Sequence, residues 1–116
     1  MASQMVHFSV TTGTPVLQAV GPPNKQINVT GFSVTADSTN ISYLKIWWQG
    51  NSNTAPALGT TAPNVTFQIP ASTGLTKSFV SSLSNAGPCF ATITKNGTDT
   101  DATALTSGSV ITIFIE

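Results

Sequence analysis

Residues 41–49, Ile-Ser-Tyr-Leu-Lys-Ile-Trp-Trp-Gln, decide the fold class. In an extended chain, successive side chains point to opposite faces. One face of this segment then carries Trp47, with an isoleucine and a tyrosine before it, and the other carries Leu44, Ile46 and Trp48. A strand that is apolar on both faces must be covered on both. The segment therefore predicts a central strand that is covered on each side by other parts of the chain.

Short alternating segments continue in both directions from this strand. The segments with a strand-like pattern are 6–11, 15–20, 26–36, 41–49, 65–69, 75–82, 89–94 and 109–116. They are separated by turns rich in Gly, Pro and Asn, and only residues 102–106 could form a turn of helix. This spacing predicts an all-β fold, a single-domain antiparallel β-sandwich or jelly roll of about eight strands. The jelly roll is the first choice.

A change of phase inside the third segment predicts a β-bulge. The apolar residues Ile27 and Val29 occupy odd positions, whereas Phe32 and Val34 occupy even ones, and Gly31 lies where the phase changes. One extra residue at this glycine would let both halves of the strand face the same core.

Turn signals divide the rest of the chain. The pair Asn96-Gly97 predicts a hairpin turn before the last strand, because such turns need positive φ at both positions. Two consecutive prolines after Gly21 remove two donors from any sheet ladder. We therefore expect residues 1–24 to form an N-terminal arm or edge strand, and residues 25–116 to form the β-sandwich domain.

Charged residues are scarce, and this excludes several classes of protein. The chain of 116 residues has four Lys, no Arg, three Asp and one Glu, which is 7 %, against roughly 25 % in an ordinary domain. Four scattered lysines cannot form the basic face that nucleic-acid binding requires. No stretch approaches the roughly 18 apolar residues of a membrane span, and the first residues lack the features of a secretory signal. We expect no nucleic-acid or membrane partner, and synthesis in the cytoplasm.

Few residues suggest chemistry. His7 is the single imidazole and Cys89 the single thiol, and no nucleophile motif accompanies either. Asp99 and Asp101, together with Asn96, superficially resemble a calcium loop, but the twelve-residue pattern of such a loop is missing. The simpler interpretation is a solvated hairpin loop, with Cys89 as a small buried hydrophobe. We expect no enzyme activity, no catalytic residue, no cofactor and no metal.

Binding is the more promising interpretation. Trp47 and Trp48 point to opposite sides of a strand, so one fills the core while the other stacks on a sugar, packs in an interface or is covered by a loop. We expect Trp47 to pack inside and Trp48 to serve an interface beside the long loop at residues 50–63. The predicted partner-binding residues are Val6, Phe8, Trp48, Asn51 and Asn53.

About two-thirds of the chain, from Tyr43 to Glu116, resembles a family of small virion proteins of tailed bacteriophages. The resemblance is carried by the residues Tyr-Leu-Lys-Ile-Trp at 43–47, Thr-Ala-Pro-Ala-Leu-Gly-Thr-Thr-Ala-Pro at 54–63, Phe-Gln-Ile-Pro-Ala at 67–71, Gly-Pro-Cys-Phe-Ala-Thr-Ile-Thr at 87–94 and Asp-Thr-Asp-Ala-Thr-Ala-Leu at 99–105. Proteins similar to these include capsid cement, or decoration, proteins. The resemblance transfers no functional residues.

The resemblance implies a viral structural protein. Such a protein would bind the outer shell of the capsid and stabilise contacts between subunits of the major capsid protein, and it would be located on the virion. Zero formal charge and strands that are apolar on both faces also favour self-association, so we expect a homotrimer. The alternative is a receptor- or glycan-binding module of a phage tail fibre, which would use Trp48 and the loop that follows it.

Overall fold

The described part of the chain forms eight β-strands. The computed structural model describes residues 4–10, 15–22, 26–35, 39–50, 55–85 and 87–116, and contains no helix within them. No described helix is therefore available to cross a membrane. The strands are β1 (Gln4–Val10), β2 (Gln18–Val20), β3 (Asn28–Val34), β4 (Ser42–Trp48), β5 (Val65–Ile69), β6 (Leu75–Ser84), β7 (Cys89–Thr94) and β8 (Ser109–Ile115).

The strands form two antiparallel sheets whose pairing is nested along the chain. Sheet A has the order β1-β8-β3-β6, and sheet B has the order β2-β7-β4-β5. The first strand thus pairs with the last, the second with the seventh, the third with the sixth and the fourth with the fifth. These four pairs alternate between the sheets, which is the arrangement of a jelly roll. The predicted fold class is confirmed.

The core lies between the two sheets and follows the alternation of the sequence. From sheet B, β4 contributes Leu44 and Ile46, which are fully buried. From sheet A, β8 contributes Ile111 and Ile113, which are also fully buried. Side chains of such size each stabilise the fold by roughly 1.5–3 kcal/mol when buried. The position of β4 between β7 and β5 is the central one predicted from its two apolar faces.

Both N-terminal strands belong to the sandwich. β1 is an edge strand of sheet A, and its seven residues pair with β8 from Gln4 opposite Ile115 to Val10 opposite Ser109. The short β2 is an edge strand of sheet B and pairs with β7. The boundary expected near residue 24 therefore falls between two strands of the same sandwich.

The bulge predicted in β3 is present. The registers of β3 with both β6 and β8 shift between Val29 and Gly31. As a result Val29, Phe32 and Val34 all face the core although their spacing is irregular. A side chain cannot be added at the bulge, because a Cβ on Gly31 would lie 2.4 Å from the backbone oxygen of Lys77.

The predicted hairpin at Asn96-Gly97 is wrong. β7 lies in sheet B and β8 in sheet A, so the chain between them crosses from one sheet to the other instead of turning back within one. The Asn-Gly dipeptide reports only the local preference of the backbone for a turn. The pairing of β8 depends instead on burial of its apolar face beside β1 and β3, which are distant in sequence.

The bulge provides the first testable prediction. Replacing Gly31 with Ala should destabilise the fold by about 1–3 kcal/mol, because the backbone of β6 must move to admit the new methyl group. Urea denaturation measures the change. The control is Ser78→Ala at the residue opposite Gly31, which is exposed and should change stability by less than about 0.5 kcal/mol. Equal stability of the two variants would contradict the close approach.

Candidate functional site

The structure places Trp48, and not Trp47, in the core between the two sheets. Trp48 faces the inter-sheet core with Leu44 and Ile46, is 8 % exposed, and donates its indole N–H to the backbone oxygen of Ile27 at 2.9 Å. Trp47 points to the opposite face of sheet B. Consequently Trp48 is a core residue and offers no surface to a partner.

Trp47 is also buried, beneath the loop that joins β4 to β5. Its indole N–H donates to the backbone oxygen of Thr61 at 3.0 Å, and the side chain is 1 % exposed. A turn in the same loop is closed by the amides of Thr60 and Thr61, which donate to the oxygen of Ala57. Asn51 and Asn53 of this loop lie outside the described residues.

Lys45 of β4 is the least expected of the buried residues, because it is a charged residue in a largely apolar strand. Its side chain is fully buried on the face that also carries Trp47, and its ammonium donates to the backbone oxygens of Thr98 at 2.7 Å and Asp101 at 3.2 Å. Burial lowers the pKa of Lys45, and the nearby carboxylates of Asp101 and Asp99 oppose part of that shift. The ammonium therefore ties the loop after β7 to the middle of sheet B.

Asp101 organises the same loop through its side chain. Its carboxylate accepts hydrogen bonds from the amides of Asn96 and Thr103 and from both of their side chains, the shortest being 2.6 Å from the Thr103 hydroxyl. Burial would raise the pKa of Asp101, but these hydrogen bonds outweigh it and hold the pKa below its ordinary value of 3.8. The carboxylate therefore accepts the hydrogen bonds that hold the two ends of the loop together.

The loop held by these contacts is the one whose sequence superficially resembles a calcium loop. Backbone oxygens of Thr98 and Asp101 converge on a cation, as they would around calcium, but the cation is the ammonium of Lys45. Across the described ranges, no group of three or more His, Cys, Asp or Glu residues could hold a metal ion. The arrangement stabilises the loop and leaves Asp99 exposed.

The outer face of sheet A is the surface made by the outward residues of β1, β8, β3 and β6, and none of these described strand residues is Lys, Arg, Asp or Glu. Glu116, which follows β8 directly and donates its backbone N–H to the backbone oxygen of Asn28, is a charged residue at one end of this face. One row of side chains crosses all four strands as His7, Thr112, Ser33 and Thr76. His7 Nδ1 lies 2.8 Å from the Thr112 hydroxyl, and the Ser33 and Thr76 hydroxyls are 3.0 Å apart. Neutral hydrogen-bonding groups therefore run continuously across the sheet.

Apolar side chains flank this polar row. Met5 and Phe114 lie opposite each other on one side of it, and Gly31, the partner of Phe114 on β3, has no side chain. Ser9 and Val110 lie opposite each other on the other side. Met5 is 65 % exposed and Val110 is 36 % exposed.

A depression lies at the end of this outer face. It has a volume of about 520 Å³ and is lined by Ser9, Val10, Thr35, Ser107, Gly108, Ser109 and Val110. Its polar side chains are hydroxyls, and the hydroxyl of Ser109 donates to the backbone oxygen of Thr35. The depression extends the neutral character of the face into a concave surface.

Val6 and Phe8 lie on the inner side of β1. Both are partly buried and pack against the core cluster, opposite Ile113 and Ile111 of β8. Their strand is at the edge of sheet A, so their remaining exposure is at the free side of β1. Any partner would reach them by adding to that edge rather than by contacting the face of the sheet.

The two candidate catalytic groups are far apart in the fold. His7 lies on the outer face of sheet A, and Cys89 lies in the inter-sheet core on β7. Burial raises the pKa of the Cys89 thiol to about 12. The thiol therefore stays protonated at neutral pH and does not meet the imidazole, as a Cys–His pair would require.

Comparison of the chain with models of known protein families, with curated proteins and with solved structures finds no match.

Two features of the molecule were missed by the sequence-based predictions: the contact between Lys45 and the loop after β7, and the outer face of sheet A. A lysine in the middle of an apolar strand, followed 50 residues later by an acidic loop, is the signal that could have revealed the Lys45 contact. The outer face of sheet A depends on which strands are neighbours, and nothing in a single segment records that pairing.

Acid should weaken the loop through Asp101. Because its folded-state pKa lies below its ordinary value of 3.8, the stabilisation is present above that value and is lost as pH falls through the lowered pKa. Urea unfolding from about pH 5 down to about pH 2.5 should show a steeper loss of stability in wild type than in Asp101→Asn. Asp99→Asn is the control and should keep the wild-type slope. A wild-type slope in Asp101→Asn would contradict the assignment.

Alkali should weaken the core through Cys89. The thiol pKa is about 12 in the fold against 9.0 ordinarily, so stability falls as pH rises above 9.0, where the unfolded chain ionises first. Lys45, whose pKa is lowered in the fold, makes stability increase with pH up to its ordinary pKa of 10.5, and it does so in wild type and variant alike. In Cys89→Ala the decrease in stability above pH 9.0 that the thiol causes should be absent, as measured by urea unfolding at a series of pH values. The interpretation fails if wild type and Cys89→Ala have the same slope.

Proposed function

We propose that this chain is a viral structural protein of the capsid cement, or decoration, type, which binds the outer shell through the outer face of sheet A. The observation that carries the proposal is the absence of Lys, Arg, Asp and Glu among the described outward residues of the four strands of that face, in a fold whose other broad face is covered by its own loops. The resemblance to small virion proteins of tailed bacteriophages supports the same role. In this role the partner is the major capsid protein and the location is the surface of the virion.

An uncharged face suits binding to a repeating shell. Burying a charge without a partner carries a large desolvation cost, whereas hydroxyl and apolar groups are buried at little cost when their hydrogen bonds are kept. His7, Thr112, Ser33 and Thr76 already bond in pairs across the sheet. Such a face can bury apolar area against many identical sites without needing an opposite charge at each one.

Most of the described charged residues lie away from this face, and Glu116, directly after β8, is the exception at its end. Lys45, Lys95, Asp99 and Asp101 belong to β4 and to the loop after β7, on the side of sheet B. Lys77 at the edge strand β6 is opposite the core residue Phe32, so it is on the inner side of sheet A. In the proposed orientation the charged loop faces away from the shell and keeps that side hydrated.

The proposed role is non-catalytic. A clamp between capsid subunits works by burying surface and needs no reacting group. The separation of His7 from Cys89 in the fold is consistent with that role. No cofactor or metal is part of the proposal.

A glycan-binding module remains the second candidate, but its site changes. Trp48 is in the core, so the aromatic platform would have to be Tyr43. Its ring lies against Gly97, where an added Cβ would be 2.9 Å from it. An open depression of about 310 Å³ beside it is lined by Asn40, Ile41, Tyr43, Lys95, Asn96 and Gly97. Several strong hits on a glycan array, lost in Lys95→Ala and without shell binding, would favour this candidate.

Shell binding can be tested with matched surface charges. The probe is a shell assembled from the major capsid protein of the virus that encodes this chain, and the readout is co-sedimentation. Val110→Asp places a charge on the outer face of sheet A and should reduce binding at least tenfold, because the carboxylate must be desolvated without a partner. Ile41→Asp is the control, since Ile41 is 42 % exposed, close to the 36 % of Val110, but lies beside sheet B.

The same assay separates the proposal from its competitors. Sodium chloride at a few hundred millimolar should leave wild type on the shell, since only charged contacts are strongly screened. Equal loss in both variants would show that the outer face has no special role. No sedimentation of wild type with the shell would remove the cement role altogether.

A further inference from the structure

The described strands leave four sheet edges, and three of them are protected against pairing. β2 has three residues, and β5 has five and ends directly before Pro70. β6 carries Lys77, and its register with β3 is irregular. Short length, proline, lysine and irregular register are the usual means by which natural sheets avoid pairing with other chains.

β1 has none of these protections. Its residues Gln4–Val10 contain no proline and no Lys, Arg, Asp or Glu, and all seven pair with β8 in an unbroken register. The strand is therefore free of bulges and of Lys, Arg, Asp and Glu, and it is long enough to accept another strand along its free side. Val6 and Phe8 on its inner side are only partly buried by the chain's own core.

We propose that β1 pairs antiparallel with β1 of a second copy of this chain, about a two-fold axis at His7. This register joins all seven residues of each strand, so that residue 4 lies opposite residue 10 of the other copy. It places Val6 opposite Phe8 of the second copy, and Phe8 opposite its Val6. The result is a continuous sheet of eight strands.

Apolar patterning selects the second copy and this family of registers. Pairing of residues with the same parity keeps Val6 and Phe8 of both copies on one side, where they cover each other. A slip by one residue would place Val6 opposite a residue of the outer face and leave it exposed. Because β1 contains no Lys, Arg, Asp or Glu, no residue of these types faces its own copy when the strand meets a second β1.

The pairing also widens the outer face of sheet A. The outward residues Met5, His7 and Ser9 of the two copies become neighbours, so the uncharged surface continues from one copy to the other. Edge pairing alone buries less than the roughly 800 Å² per partner of a standard interface. We therefore expect the dissociation constant of the dimer to be micromolar rather than nanomolar.

This inference is independent of the cement role and can be tested without a capsid. It predicts an even-numbered assembly in place of the homotrimer expected from the sequence. Light scattering at tens of micromolar should give about 24 kDa, twice the chain mass of 12.0 kDa. A mass of 12.0 kDa at every concentration up to a millimolar, or a mass of 36 kDa, would overturn it.

Site-directed cross-linking tests the register. His7→Cys should form an intermolecular disulfide on mild oxidation, because residue 7 lies opposite its own copy. Met5→Cys is the control: it is the more exposed position, but it would lie about 13 Å along the strand from its copy, beyond the roughly 7 Å limit for a disulfide. The native Cys89 is buried. Cross-linking of Met5→Cys as fast as His7→Cys would reject the register.

A charge on the strand supplies a separate check. His7→Lys should shift the mass toward that of one chain, because two ammonium groups would face each other. Thr76→Lys, at the other edge strand of the same outer face, should leave the dimer intact. Thermal melting of both variants verifies that they fold. A dimer that persists in folded His7→Lys would contradict the pairing.

Discussion

Both faces of β4 must be kept from water, and most of the structure follows from this constraint. The inner face is covered by sheet A, with the indole N–H of Trp48 satisfied by the backbone oxygen of Ile27. The outer face is covered by two loops, each held by a polar atom that reaches out from β4. Trp47 binds the loop before β5, and Lys45 binds the loop after β7. Sheet B therefore offers little free surface, and sheet A is left to face its surroundings.

Much of the fold could be predicted from the sequence, because the relevant signals are local. The alternation of apolar residues gave the strands, and the change of phase around Gly31 gave the bulge. The faces of β4 were also separated correctly, but the side that faces the core was not. Trp47 and Trp48 are equally apolar, and only the rest of the sandwich decides which of them points inward. The misread Asn96-Gly97 turn has the same origin, since sheet membership of β8 is a long-range property.

The candidate surface was less predictable than the fold. Its defining row, His7, Thr112, Ser33 and Thr76, draws one residue from each of four strands that are distant along the chain. No segment by itself is unusual in carrying a threonine or a serine. The scarcity of charge was visible in the composition, but its uneven distribution became apparent only when the described lysines and aspartates were located on the side of sheet B and at the edge of sheet A.

Nested pairing also dictates the order in which the chain can fold. Among the described strands β1 is synthesised before all the others, yet its described partner is β8, which is synthesised after all the others. β8 also lies between β1 and β3, so sheet A cannot be completed until β8 has left the ribosome. Until then β1 is exposed with both edges unpaired, while β4 and β5 can already associate. Long-range closure of this kind is slow, and the nascent chain must avoid misassociation through its first strand for the whole of that interval.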